Sequence, residues 1–387
     1  MSSTSTPPTT DRPEVPEVSP CASLDSILGN GWHRSAQVYA RVDGVVVLDV
    51  EVVDGTVTGT TAERRLFPLL SAAKPIVALA ALKVCRDAGL GCDHPLVETI
   101  PELTGHGRER IRLRDVLTHQ TGFPSLPTGA DLVTANWAEG FAHACQVLGD
   151  EPIHPGGEAC YQESRYWYLL GEFITRVTGR PVPDVVHSEV LRPLGLDEEI
   201  VLGREAADAR RDGRLGDFES GDLSAGPAAS ASWVYRPDDP QYGWRGGVNT
   251  FGSVRAVAAL LAALPGGTDF QFDGPFQDLP TMADAWRTGT RDAYFSCRRD
   301  WGLGVMMESA RWGRRSVVFS QRASRHTYGH LARKAVAAFV DPVNRLAAAV
   351  LGSGDLNGIE TTYFQRSAST AIYREFVAAN RPADPAG

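Results

Sequence analysis

The sequence predicts an α/β fold in which one antiparallel sheet is formed by the N- and C-terminal segments, flanked by helices, with a mostly helical domain inserted between its halves. Three observations carry this expectation. Val38 to Val42 and Val45 to Val52 are β-branched runs around Asp43-Gly44, a hairpin signal near one end of the chain. Ala335 to Val340 and Leu346 to Leu351 flank Asp341-Pro342-Val343-Asn344, a second hairpin near the other. Between them the apolar spacing is helical.

The elements follow in order. An apolar run from Ile76 to Cys85, opened by Ser71-Ala72-Ala73-Lys74-Pro75, reads as a buried helix ended by Gly89-Leu90-Gly91. Ile111 to His119 reads as a short helix stopped by Gly122 and Pro124, and His154-Pro155-Gly156-Gly157 as a turn. Leu169, Leu170, Phe173, Ile174 and Val177 mark an amphipathic helix that Gly179 and Pro181 stop. Val182 to Leu191 continues as helix. From Gly203 to Arg245 the chain is polar and rich in Gly, Ala and Asp, which predicts a mobile surface excursion of the kind that forms a lid. Val254 to Leu264 is helical, Pro265 to Arg299 loop-like, Trp301 to Val305 the start of a strand-rich end, and Thr370 to Asn380 a final helix. The expected organisation is a disordered tail over 1–20, a sheet domain from 21–65 with 300–387, and a mostly helical domain over 66–299.

Composition narrows the function. A net charge of -9 argues against nucleic acid and anionic membrane surfaces as partners. No run is long and apolar enough to span a membrane. The Ser/Thr/Pro-rich N-terminus lacks the basic and apolar regions of a signal peptide, so a cytoplasmic protein is expected. Six cysteines without C-x-x-C pairs and nine scattered histidines predict free thiols and no metal site. No cofactor is implied.

The stretch with chemistry in it is Ser71-Ala72-Ala73-Lys74. On a helix, positions i and i+3 share a face, so hydroxyl and amine converge, and a serine beside an amine is a candidate activated nucleophile. A cap at the helix start is the plainer reading of Ser71. The chain has only three lysines, Lys74, Lys83 and Lys334, and otherwise uses arginine. A lysine kept where arginine is the habit points to an amine that must lose its proton. Tyr161 is the candidate second proton handler; a half-buried tyrosine with its hydroxyl at the surface is the plainer reading.

Six segments in order resemble the serine β-lactamase and penicillin-binding-protein superfamily, in its class C-like branch with family VIII carboxylesterases and simvastatin-synthase-like transacylases. The resemblance runs from about Leu24 to Phe376. Ser71-Ala72-Ala73-Lys74 resembles the S-x-x-K motif. Arg114-Asp115-Val116-Leu117-Thr118-His119-Gln120-Thr121-Gly122 resembles the "LLTHTSG" segment, and His154-Pro155-Gly156-Gly157 with Tyr161 the "PG…Y-x-N" block. Gly246-Gly247, Trp301-Gly302-Leu303-Gly304 and Tyr328-Gly329-His330 follow in the family's order.

The resemblance implies an acyl-enzyme. Ser71 attacks an ester, thioester or amide carbonyl, Lys74 accepts the proton and Tyr161 passes one to the leaving group. The N–H groups of Ser71 and of Arg333 hold the oxyanion, and water or an amine or alcohol acceptor releases the acyl group. Two departures stand out. Glu163 replaces the Asn of Y-x-N, and His330-Leu331-Ala332 stands where K-T-G or H-x-G is usual. Both turn the expectation away from β-lactams and toward a small-molecule esterase or transacylase, with secondary-metabolite biosynthesis as one setting. Ala332 narrows the site or tilts its orientation. His330 is a pocket-lining or a packing residue, and Glu163 either recognises a cationic or hydroxylated substrate or pairs with an arginine. Arg333 and Lys334 steer an anionic group or are simply solvated. The remaining alternatives are a hydrolase of the β-lactamase or D-amino-acid-peptidase type, and a binding protein that keeps the fold without the chemistry.

Overall fold

The computed structural model describes residues 35–53, 56–59, 65–124, 137–146, 152–215, 244, 246–266, 275–283, 286–333, 336–352, 356 and 358–377. The expected N-terminal tail, Lys334 and most of the polar excursion (216–243 and 245) lie outside them.

Seven strands form the main sheet: β1 (Ser35–Val42), β2 (Val45–Val53), β3 (Thr56–Gly59), β4 (Met306–Met307), β5 (Tyr328–Ala332), β6 (Val336–Asp341) and β7 (Leu346–Gly352), in the order β3-β2-β1-β7-β6-β5-β4. Every pairing is antiparallel. The join between the two ends of the chain is β1 against β7, with Val38 opposite Val350 and Ala40 opposite Ala348. The first hairpin turns on Asp43 and Gly44 at φ 50° and 84°, the left-handed pair that a two-residue hairpin requires.

Both faces of this sheet are covered, so β7 reads as a continuous apolar run with all seven residues buried. Ala347, Ala349 and Leu351 point into the larger core, while Leu346, Ala348 and Val350 point into the second. Among the described residues eight α-helices complete the framework: α1 (Lys74–Asp87), α2 (Leu113–Leu117), α3 (Trp137–Cys145), α4 (Arg165–Thr178), α5 (Val182–Val186), α6 (Arg204–Arg211), α7 (Val254–Ala262) and α8 (Gly358–Ile372). On the first face α7 lies across β1, β6 and β7. On the second, α8 buries Phe364, Ala368, Ala371 and Ile372. A small sheet of Phe67–Pro68, Thr250–Gly252 and Ile200–Leu202 ties the chain entering α1 to the segment before α7.

The central helix is α1. It is buried from Lys74 to Cys85 except at Lys83, whose ammonium pairs with Asp87 (2.7 Å) and Glu189 (3.1 Å). Gly89, at φ 69°, ends it as the sequence predicts.

Several elements differ from expectation. The last helix starts at Gly358, twelve residues before Thr370; its Gly- and Thr-containing first turns have weak helix propensity and are mostly exposed, and the helix is anchored from Phe364 onward by burial of Phe364, Ala368, Ala371 and Ile372. The predicted helix over Ile111 to His119 is only Leu113–Leu117, since His119 takes φ 57°. Val182 to Leu191 is α-helical to Val186 and then π-helical. Within Pro265 to Arg299 a two-stranded hairpin pairs Arg291–Asp292 with Cys297–Arg298. Arg204–Arg211, inside the predicted excursion, is an ordered helix that buries Ala206 and Ala209.

Candidate active site

The site lies where the start of α1 meets β5. Ser71 sits on a 3-10 turn, Leu70–Ala73, that leads directly into α1. Its side chain makes no cap at either helix start, which removes the plainer reading of this serine. The residue before it, Leu70, holds φ 49°, a conformation that costs a non-glycine residue of order 1 kcal/mol and persists only under external restraint. That restraint is visible. The N–H of Leu69 donates to Thr250 O (2.9 Å), and Gly247 packs so closely that a Cβ there would lie 1.8 Å from Leu70 O. A Cβ on Gly246 would meet the Trp167 ring at 2.4 Å. The Gly246-Gly247 pair is therefore a contact surface for the nucleophile turn.

Lys74 is fully buried. Its amine lies 4.1 Å from the centroid of Trp167 and 5.1 Å from those of Tyr161 and Tyr166, and it donates to the main-chain oxygen of Glu163 (3.0 Å). Burial pulls its pKa from the ordinary 10.5 down to about 7, with the Glu163 carboxylate opposing. At neutral pH a large fraction of this amine is uncharged, a state that arginine could not reach.

The Tyr161 hydroxyl donates to Ser71 Oγ at 2.6 Å. Its ring stacks on Trp301 (5.4 Å, 6° between planes) and packs against Tyr294, Phe295 and His119. Asp292 fixes this wall by accepting from Trp301 Nε1 (2.8 Å) and from the N–H of Tyr161 (3.4 Å). Burial raises the phenol well above its usual range, so Tyr161 is a neutral donor rather than a resident phenolate.

Two buried histidines flank this group, and neither is charged. His119 Nδ1 accepts from the N–H of Gln162 (3.2 Å), and burial with the nearby Lys74 holds its pKa well below the usual range. His330 Nδ1 contacts Leu331 O at 2.6 Å, and burial lowers its pKa to about 3. The Nε2 atoms of both lack a hydrogen-bond partner.

A cavity of about 200 Å³ opens over Ser71 and Tyr161, with Glu163, Leu331, Ala332 and Arg333 in its wall. His330 is not in that wall. Its ring is fully buried, with centroids 6.2 Å from that of Tyr161 and 6.0 Å from that of Trp301, so it is a packing histidine in this structure. Glu163 pairs with Arg333 (3.2 Å), the arginine partner rather than the open carboxylate among the two sequence expectations. Arg333 is the first residue beyond β5.

Of the residues expected from the sequence, Tyr161 meets Ser71 at 2.6 Å and the Lys74 amine lies 5.1 Å from the Tyr161 ring centroid. The sequence reading did not single out His119, Tyr166, Trp167 or Trp301, which box in Lys74 and Tyr161. Thr118-His119-Gln120 and Trp301-Gly302-Leu303-Gly304 were the available signals, as conspicuous motifs without an assigned role. Among the described residues no group of three His, Cys, Asp or Glu side chains could hold a metal ion, and Cys85, Cys92, Cys145, Cys160 and Cys297 are free thiols. No helix among them is long and apolar enough to cross a membrane.

The profile of the Beta-lactamase family matches residues 24–368. The chain belongs to the Beta-lactamase family. A Salmonella paratyphi A protein provisionally named a D-alanyl-D-alanine carboxypeptidase is 25% identical over 281 residues, 67% of this chain and 61% of that protein. The chain thus spans about 61% of the length of this curated relative. Among solved structures, a family VIII carboxylesterase is similar at TM-score 0.65 and 19% identity, covering 93% of this chain and 97% of that one. EstCE1, described as a hydrolase with promiscuous acyltransferase activity, is similar at TM-score 0.64 and 18% identity, covering 91% and 96%. These likenesses fix the fold as β-lactamase/transpeptidase-like, as the motifs predict.

Proposed function

We propose that this Beta-lactamase family member is a serine esterase or acyltransferase that works through an acyl-Ser71 intermediate on a small ester, thioester or amide. The observation that carries this reading is the 2.6 Å contact between the Tyr161 and Ser71 hydroxyls beside a lysine that burial brings to about 7.

Ser71 Oγ attacks the carbonyl carbon as its proton passes to the uncharged Lys74 amine. The N–H of Ser71, at a helix start where N–H groups lack helical partners, and the N–H of Arg333 stabilise the resulting oxyanion. Tyr161 gives its proton to the departing oxygen, sulfur or nitrogen as that bond breaks, and the Lys74 ammonium returns one to Tyr161. Deacylation repeats the sequence with water, or with an amine or alcohol acceptor, as nucleophile. Neither buried histidine takes part, since burial makes both far weaker bases than Lys74.

His330-Leu331-Ala332 in place of K-T-G and the engaged Glu163 in place of an amide support esters over β-lactams. The fold likeness to a carboxylesterase and to a hydrolase with acyltransferase activity points the same way. The carboxypeptidase name of the curated relative favours a second reading, a D-amino-acid-peptidase type hydrolase. A cytoplasmic, biosynthetic setting, with the chain divided into a sheet domain (21–65 with 300–387) and a helical one (66–299), belongs to the first reading.

The test is turnover of 4-nitrophenyl butyrate, a chromogenic cephalosporin and a D-alanyl-D-alanine peptide, with and without amine or alcohol acceptors. Ester turnover that exceeds the other two, with product diverted from free acid by acceptors, is expected. Faster turnover of the cephalosporin or the peptide contradicts the reading.

A further inference from the structure

The stretch from Pro265 to Arg299, expected from the sequence to be loop-like, brings its hairpin against the site. The N–H of Ala293 donates to Ala159 O (2.9 Å), the N–H of Ala159 donates to Thr290 Oγ1 (3.2 Å), and Asp292 pairs with Ala159 in a parallel bridge. The hairpin thus adds a short edge to the segment leading into Tyr161, 131 residues away in the chain.

At this junction lies Asp292, which has no exposed surface. Its Oδ2 accepts from Trp301 Nε1 at 2.8 Å. Its Oδ1 accepts from the N–H groups of Tyr294 (2.9 Å), Phe295 (3.1 Å) and Tyr161 (3.4 Å). The donors therefore belong to Tyr161 itself and to three aromatic residues around its ring. Trp301 stacks on that ring at 5.4 Å, and Tyr294 and Phe295 pack against it at 5.2 and 5.5 Å. Arg299, over the Phe295 ring at 3.9 Å, supplies positive charge near the carboxylate.

The bonds to Tyr294 and Phe295 are those of a carboxylate capping its own turn, and alone they would make Asp292 a turn residue. The other two are not local. One oxygen suffices for a turn cap, whereas here the second oxygen reaches the Trp301 indole and the first also reaches Tyr161. All four contacts run toward the carboxylate, so an acceptor is required on both sides. An amide offers one acceptor and would set its NH₂ against either the indole or the three main-chain N–H groups.

We infer that Asp292 is a positioning residue for Tyr161, holding its main chain and the aromatic faces around its ring so that the phenol proton meets the leaving group. The inference deepens the acyl-enzyme reading and rests on it for the role of Tyr161. In that role the phenol proton passes to the departing oxygen as the bond from that oxygen to the acyl carbon breaks, and Lys74 returns a proton to the phenol. Asp292 does not line the cavity, so it acts through Tyr161 rather than on substrate.

The test compares two butyrate esters. Ethyl butyrate releases an alkoxide that needs a proton as it leaves, whereas 4-nitrophenyl butyrate releases a stable phenolate. A displaced Tyr161 therefore slows the ethyl ester more. In Asp292→Asn the ratio of kcat/KM for the ethyl ester to that for the 4-nitrophenyl ester falls by about tenfold or more. Trp301→Phe keeps a ring against Tyr161, removes the indole donor, and lowers the ratio in the same direction by a smaller factor. With that donor gone, the amide of Asp292→Asn can turn its NH₂ away from the main-chain N–H groups, so it costs less in Trp301→Phe than in wild type. On a Tyr161→Phe background, where the ratio is already low, Asp292→Asn lowers it no further. Asp341→Asn removes an equally buried carboxylate that holds the N–H groups of Val343 and Asn344 and the Tyr373 hydroxyl. It leaves the ratio unchanged whatever it does to stability. Should Asp292→Asn fail to fold, Trp301→Phe reads the same ratio. Equal losses on both esters, or a further fall of the ratio on the Tyr161→Phe background, overturn the positioning role and leave acyl-Ser71 intact. A wild type that turns over neither ester overturns the acyl-enzyme reading and, with it, the role given to Tyr161.

Discussion

Tyr161 and Ser71, ninety residues apart in the chain, meet hydroxyl to hydroxyl at 2.6 Å, with the tyrosine as donor. The contact is rigid because the phenol ring is held between Trp301, Tyr294 and Phe295, while the serine turn is clamped by Thr250 and Gly247. Each partner is positioned independently of the other, so either hydroxyl can be removed without disturbing the opposite side.

That independence gives the first prediction. Tyr161→Phe keeps the stack on Trp301 and removes only the proton donor. The acylation rate falls by about 10²–10⁴-fold, the range of a general acid–base contribution, while the thermal midpoint changes little. Stopped-flow release of 4-nitrophenol together with thermal denaturation checks both parts.

The second prediction concerns pH. The base works only when uncharged, so acylation rises with pH through an inflection near 7, the value to which burial brings Lys74. Tyr161 adds no second inflection below pH 10, because burial moves its ionisation upward. The Glu163 carboxylate raises the Lys74 value, so Glu163→Gln shifts the inflection to lower pH. A pH–rate profile for both proteins reads this directly; an upward shift in the variant contradicts the assignment.

Lys74 also leaves a mark on stability. Its folded pKa is depressed, so between about 7 and 10.5 the unfolded chain binds more protons than the folded one, and the contribution of this group to stability rises with pH across that window. Below about 7 both states are protonated, and the full cost of burying the charge applies. Lys74→Met removes that dependence and raises stability near pH 7 by about 1–4 kcal/mol, even as acylation is lost. Denaturant titration at pH 6, 7 and 9 tests the magnitude and the slope, and a destabilised variant speaks against a strained catalytic amine.

Gly247→Ala tests the clamp. Its Cβ would lie 1.8 Å from Leu70 O, so the serine turn must move. Both stability and acylation fall, by more than about 1 kcal/mol and 10²-fold respectively. Gly358→Ala, where a Cβ meets nothing within 4 Å and the backbone is not left-handed, leaves acylation intact.

Much of this architecture is legible in the sequence, for definite reasons. Asp43-Gly44 and Asp341-Pro342-Val343-Asn344 announce their hairpins because turn geometry depends on a few local residues. Ser71 and Lys74 are legible because one helical turn brings them together whatever surrounds them. The rest depends on tertiary packing. α8, from Gly358, has little intrinsic helix preference in its first turns and is anchored by its buried residues from Phe364 onward. The direction of the His330 ring follows from strand register, which a five-residue motif does not specify by itself. Arg299 and Arg366 lie on separate elements, and nothing local to either announces that they share a cavity with Ser71.

The central claim is that Ser71 becomes acylated. Intact-mass measurement after incubation with an alkyl fluorophosphonate, on wild type beside Ser71→Ala, tests it most directly. The account predicts one adduct on the wild-type protein, mapped to the peptide containing Ser71, and none on the variant. An unmodified wild type, or a variant that gains the same mass, contradicts it.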